Sequence, residues 1–140
     1  VQRGLVVDGI ELELKGKVND NLDVTFGYTS MDGKNGTKDA REIPETMYSM
    51  WANYEVNPKL GWAVGVMYQG ESLIKDGGTQ MLPDYTRVDA AVYLMLSDDF
   101  RLQVNMENLT DELYFPHSHS THQVSVGRER NIRLSLTRSF

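Results

Sequence analysis

Between Tyr114 and His122 the chain gathers two aromatic rings and all three of its histidines: Tyr-Phe-Pro-His-Ser-His-Ser-Thr-His. A run of that composition can hold a ligand, because rings stack on planar groups and imidazoles hydrogen-bond or ligate metals. His117, His119 and His122 are close enough in sequence to reach one ion. No carboxylate is interleaved, however, and the spacing matches no defined zinc pattern. The alternative is a solvated loop that happens to carry the histidines. The expectation is ligand contact by Tyr114, Phe115, His117, His119 and His122, with the nearby Arg128, and neither a metal site nor a resident cofactor. Chemistry of other kinds lacks its parts. There is no Gly-x-Ser-x-Gly, phosphate loop or dinucleotide fingerprint, and nothing places Ser, His and Asp as a triad. Asp32-Gly-Lys-Asn-Gly lacks the alternating ligands of a calcium loop. The chain is not expected to be an enzyme.

The elements that must position this loop alternate with period two. Seven strands are predicted over 10–18, 22–29, 47–56, 60–68, 86–96, 100–107 and 131–140. In each the apolar face is the even-numbered one: Ile10, Leu12 and Leu14 in the first, Val88, Val92 and Leu94 in the fifth, Leu102, Val104 and Met106 in the sixth. The charges inside these spans are odd-numbered, with Arg138 excepted. The last strand finishes on the aromatic Phe140.

The connections decide the architecture. Asn19–Asn21, Asn57–Lys59 and Ser97–Asp99 are tight and rich in turn formers, whereas Ser30–Thr46, Gln69–Tyr85 and Asn108–Arg130 are long. Short and long alternate strictly, so every tight turn falls at one end of the sheet and every long loop at the other. Outer-membrane barrels are built with short periplasmic turns and long extracellular loops. Aromatic rings on the apolar face lie mostly near strand ends, where they would meet a membrane interface. Tyr48 to Tyr54 spans only about 20 Å, so the two cannot both centre girdles flanking a band about 25 Å tall. A soluble up-and-down β domain is the competing architecture.

Composition bounds the answer. The chain has 140 residues, enough for one domain, and its 40% apolar content argues against disorder. No apolar run approaches the length of a membrane helix, which leaves alternating strands untouched. A net charge of −6 argues against nucleic-acid binding. Without cysteine there is no disulfide framework, thiolate metal site or thiol nucleophile.

Five segments in order resemble the TonB-dependent outer-membrane receptors of the siderophore-receptor kind. They are Gly9-Ile-Glu-Leu-Glu-Leu-Lys-Gly16; Ile43-Pro44 with Met47-Tyr-Ser-Met-Trp-Ala-Asn-Tyr54; Leu82-Pro-Asp-Tyr-Thr-Arg-Val-Asp89; Asn105-Met-Glu-Asn-Leu-Thr-Asp-Glu-Leu-Tyr114; and Gly127-Arg128 before a strand ending in Phe. The fourth, similar to the family's Asn-Leu-Phe/Thr-Asp-x-x-Tyr pattern, is the most specific. The resemblance implies an all-β fold: seven antiparallel up-and-down strands forming the C-terminal portion of a large transmembrane β-barrel of about 22 strands with a plugged lumen. Residues 1–140 would then be a C-terminal fragment, lacking the plug domain and the earlier strands. It further implies a place in the bacterial outer membrane, a ferric siderophore as cargo (a catecholate among the candidates), TonB engaged through the missing plug, and contact with outer-membrane lipid. The aromatic residues near His117 would then stack on catechol rings. Phe140 would be the signal read by the barrel-assembly machinery. An anionic cargo would favour cations, but Lys34, Lys38, Arg41 and Lys75 share their loops with Asp32, Asp39, Glu42 and Asp76, so charge does not identify it. The runners-up are another outer-membrane barrel, an enzyme or a porin, and a soluble β-sheet binding module.

Overall fold

The computed structural model describes residues 4–139, and among these there are strands and no helix. Twelve strands follow in order: β1 (Leu5–Asn19), β2 (Leu22–Asn35), β3 (Lys38–Asp39), β4 (Thr46–Asn57), β5 (Leu60–Gln69), β6 (Ser72–Leu73), β7 (Met81–Leu82), β8 (Tyr85–Met95), β9 (Phe100–Glu107), β10 (His117–Ser120), β11 (Gln123–Ser125) and β12 (Asn131–Arg138). Seven of them form one antiparallel meander, β1-β2-β4-β5-β8-β9-β12, with β3 appended to the top of β2. These are the seven strands expected from alternation. The differences are at the ends: β1 begins at Leu5 and β2 runs on to Asn35, well past their predicted limits. The predicted last strand reaches Phe140, which lies outside the described residues.

Register explains why one face holds across the whole sheet. Residues directly opposite in an antiparallel ladder point to the same side. Here even residues face even residues throughout: Gly16 opposite Val24, Val24 opposite Ala52, Ala52 opposite Val64, Val64 opposite Ala90, Ala90 opposite Met106, and Met106 opposite Ile132. A slip of one residue anywhere would turn every following side chain over. The ladders of this sheet shift only at the turn ends of the β1–β2 and β4–β5 hairpins, between Lys17 and Asn19 and between Glu55 and Asn57. Both of these turns are closed by the same device. Asn19 Oδ1 accepts the Asn21 N–H and Asn57 Oδ1 accepts the Lys59 N–H, each at 2.9 Å.

The two faces differ as solvents require. Ile10 and Leu134, on the even face, are 72% and 69% exposed, while Ala63 and Ala91, on the odd face, are 0% and 2% exposed. An even face of exposed Leu, Ile, Val, Tyr and Trp would be an aggregation hazard in water; against lipid tails it is the stable arrangement. Tyr28, Tyr48 and Tyr68 lie side by side across β2, β4 and β5, the last two stacked with ring centroids 4.8 Å apart. Nearer the tight turns, Tyr54 and Trp62 pair at 5.4 Å. No ladder joins β1 to β12 among the described residues, so the meander is an open wall and not a closed seven-stranded barrel.

The three long connections carry structure of their own, which alternation could not show. Gly36 and Thr37 turn the chain from β2 into β3, β6 pairs with β7, and β10 pairs with β11. All three small ladders stand at the long-loop end of the sheet.

Candidate functional site

The long loop that follows β9 is rooted by one asparagine. Asn108 adopts φ 52°, a left-handed conformation that Asn tolerates better than most residues. Its side chain is 1% exposed and fully bonded. Oδ1 accepts the Glu112 N–H at 2.9 Å, and Nδ2 donates to the carbonyls of Glu112 and Arg128 at 2.9 and 3.0 Å. The Asn108 N–H itself goes to Asp89 Oδ1 at 2.9 Å. The side chain thus ties the two limbs of the loop together, using every donor a primary amide has, and the backbone N–H fastens them to β8. Asp111, also left-handed at φ 58°, adds a second tie by accepting the Arg130 N–H at 2.9 Å.

Tyr114 completes the root. It is 6% exposed, its ring lies 4.6 Å from that of Tyr85, and its hydroxyl accepts from Arg87 Nη1 at 3.3 Å. Arg87 is held in turn by Asp89 at 2.8 Å. Gly127 lets the returning limb cross the ring: a Cβ there would sit 2.2 Å from Tyr114 Cζ, which no side chain permits. Because Tyr85, Arg87 and Asp89 are odd-numbered, the loop folds against the inward face of the sheet. Two of the segments singled out in the sequence, Leu82–Asp89 and Asn105–Tyr114, are therefore the two halves of one packed joint. Their spacing in the sequence carries no sign of this contact.

The candidate residues divide accordingly. Tyr114 belongs to the buried root. Phe115 is half-buried, while His117, His119, His122 and Arg128 are exposed. The histidines ride on the β10–β11 hairpin, whose Ser120 Oγ meets His122 Nδ1 at 2.8 Å. Among the described residues no group of three His, Asp or Glu side chains is placed to hold a metal ion, so the hairpin does not bring the three imidazoles onto one centre. Phe140, expected to carry the assembly signal, lies outside the described residues.

A second set of residues, including Arg41, Glu42 and Asp76 that the sequence offers only as loop charges, ties the loops to one another. Asp76 accepts the Arg41 N–H and the Asn35 side-chain amide, both at 2.8 Å. Those two donors hold its carboxyl below the ordinary carboxylate value. Glu42, left-handed at φ 58°, gives its N–H to the Leu73 carbonyl at 2.9 Å and takes the Ser118 N–H on Oε1 at 2.8 Å. The Arg41 guanidinium donates to the His119 carbonyl. All three long loops therefore meet around the dipeptide Arg41-Glu42. A cleft of about 610 Å³ opens between the first two loops, lined by Asp39, Glu45, Glu71, Tyr68, Leu73 and Met81 among others. None of the predicted contact residues lines it.

Comparison with known proteins adds the family. The sequence profile of the TonB dependent receptor-like beta-barrel matches residues 2–109. A probable TonB-dependent siderophore receptor, PiuA of Acinetobacter baumannii, is 28% identical over 149 aligned positions covering 93% of this chain and 20% of that protein. The ferrioxamine receptor of Yersinia enterocolitica is 30% identical, over 94% of this chain and 20% of its own length. The crystal structure of the Acinetobacter siderophore receptor superposes with a TM-score of 0.85 at 26% identity, covering 96% of this chain and 22% of that one. The chain thus spans about a fifth of the length of the relatives it matches.

Proposed function

The chain belongs to the TonB-dependent receptor β-barrel family, and from that premise we propose that the protein it is part of takes up a ferric siderophore across the bacterial outer membrane, driven by TonB. The family sets the location, the outer membrane, and with it the solvent of the even face. The observation that carries the transport reading is the placement of the loops. Three long loops are bonded into one cluster at the end where the inward, polar face opens, and the joint at Asn108 and Tyr114 packs on that inward face. A wall whose loops guard the mouth of a polar interior suits capture of a solute from outside. The aligned relatives bear the names of siderophore receptors, which supports this class of cargo. Their names are those of receptors, and we assign the chain no enzymatic role.

Within that reading, residues 1–140 form the C-terminal part of the barrel. A plug domain and the earlier strands are encoded before this segment, and the plug carries the contact with TonB. Phe115, His117, His119, His122 and Arg128 contact the cargo from the last loop, and Tyr114 sets the loop's position from beneath. Phe140 serves the barrel-assembly machinery. The test is radioiron uptake, in a strain lacking its other iron receptors, from ferrioxamine B and from a ferric catecholate. Uptake of one of these that needs both the intact gene and TonB is expected. Uptake indifferent to TonB, or none above the deletion strain with any siderophore supplied, would overturn the proposal.

A further inference from the structure

We propose that Arg41-Glu42 is a catch, and that the segment Tyr114–Ser125 is a strap it holds closed across the barrel mouth; the transport role of that mouth rests on the reading above. The geometry points to it in three ways. The strap's root is fixed at β8, where Tyr114 packs against Tyr85, yet Ser118 and His119 bond to the loop between β2 and β4. From β8 across β5 to β4 is two ladder spacings, about 10 Å, and the four residues from Tyr114 to Ser118 can reach about 14 Å at most. Four residues therefore suffice for the crossing from β8 to the loop that leads into β4.

The attachment is also small and separable from the rest of the cluster. Arg41 and Glu42 hold the second loop through their backbone N–H groups, to Asp76 and to the Leu73 carbonyl, and hold the strap through their side chains. Loss of either side chain removes one of the two bonds to the strap and leaves the backbone bonds between the first two loops in place. Finally, the closed position carries an internal cost. Ser118 is 1% exposed and its Oγ has no hydrogen-bond partner. A buried hydroxyl left unpaired is penalised relative to water, so lifting the strap recovers that hydration and offsets part of what the catch provides. A contact of a few hydrogen bonds opposed by a desolvated hydroxyl suits a reversible closure.

The test uses the full-length receptor in lipid vesicles, without siderophore, carrying a nitroxide on Thr121→Cys at the hairpin turn; the 140 residues contribute no other cysteine. Glu42→Gln keeps an acceptor for the Ser118 N–H and should match the wild type, with a largely immobile spectrum. Glu42→Ala and Arg41→Ala should each raise the mobile fraction several-fold. The same two variants should speed reaction of a polymer-linked maleimide with Ser49→Cys on the inward face. Identical spectra and maleimide rates in all four proteins would overturn the catch. Because no cargo is present, a failure of siderophore uptake bears on the transport reading alone.

Discussion

Asn108 shows how much a single side chain can decide. Its amide replaces the ladder that ends at Glu107, giving Glu112 both a donor and an acceptor and holding Arg128 from the other side. Asn108→Asp keeps the acceptor but sets a carboxylate against the Glu112 and Arg128 carbonyls, leaving both without their donor. The cost should be about 1–3 kcal/mol for the stranded groups, read as a fall in urea stability of the full-length barrel in liposomes and faster proteolysis of the last loop. Unchanged stability would remove Asn108 from this role. The sequence marked the motif around Asn108 as the most specific in the chain, but the motif alone suggested family and not mechanism. Its purpose became visible only when folding brought Asp89 and Arg128 to it. Tyr114 is the instructive case: an aromatic beside histidines reads as a ligand contact, whereas its ring packs on Tyr85 and over Gly127.

The strands were legible because alternation records which face meets which solvent, and a lipid face makes that record sharper than a half-solvated soluble sheet does. Matched substitutions test it. Val104→Arg places a charge on the even face near mid-strand and should cost about 2–4 kcal/mol at the bilayer midplane, while Gln103→Arg, pointing to the polar interior, should cost far less. Equal urea destabilisation of the two would reverse the assignment. The loop ladders were not legible, since their strands are of two to four residues and their bonds run between distant segments. Asp76 illustrates such a bond. Its carboxyl is held below the ordinary 3.8 by Arg41 and Asn35, so its contribution to the clasp is fully present above 3.8 and is lost as pH falls through the lower folded value. Exchange protection of the Arg41 N–H in the full-length receptor should therefore be steady at neutral pH and collapse on acidification below that range. Asp76→Ala should lower it at every pH.

At the scale of the molecule, the aromatic residues of the even face give the wall its orientation. The row containing Trp62 runs through Val92 to Val104. Phe100 lies four residues, or about 13 Å, nearer the tight turns, two to three ladder spacings from Trp62 and Tyr54. The line through these rings is thus inclined roughly 45° to the ladder direction, which is what strands tilted 35–45° in a membrane produce. Above the row of Tyr28, Tyr48 and Tyr68, the even positions become polar or charged at Asp32, Lys34 and Asp84. Below it they stay almost wholly apolar down to the turns, and Arg138, the exception, lies over the Phe100 ring at the periplasmic edge, where a long side chain can reach the headgroups.

The most direct measurement of this account is a nitroxide scan of β9. Each residue from Arg101 to Met106 is replaced in turn by a labelled cysteine in the full-length receptor in lipid vesicles, and its collisions with oxygen and with a water-soluble nickel chelate are compared. Positions 102, 104 and 106 should favour oxygen, which concentrates in the bilayer, and positions 101, 103 and 105 should not. Loss of the two-residue alternation, or its inversion, would contradict the claim that this sheet is the lipid-facing wall of an outer-membrane receptor.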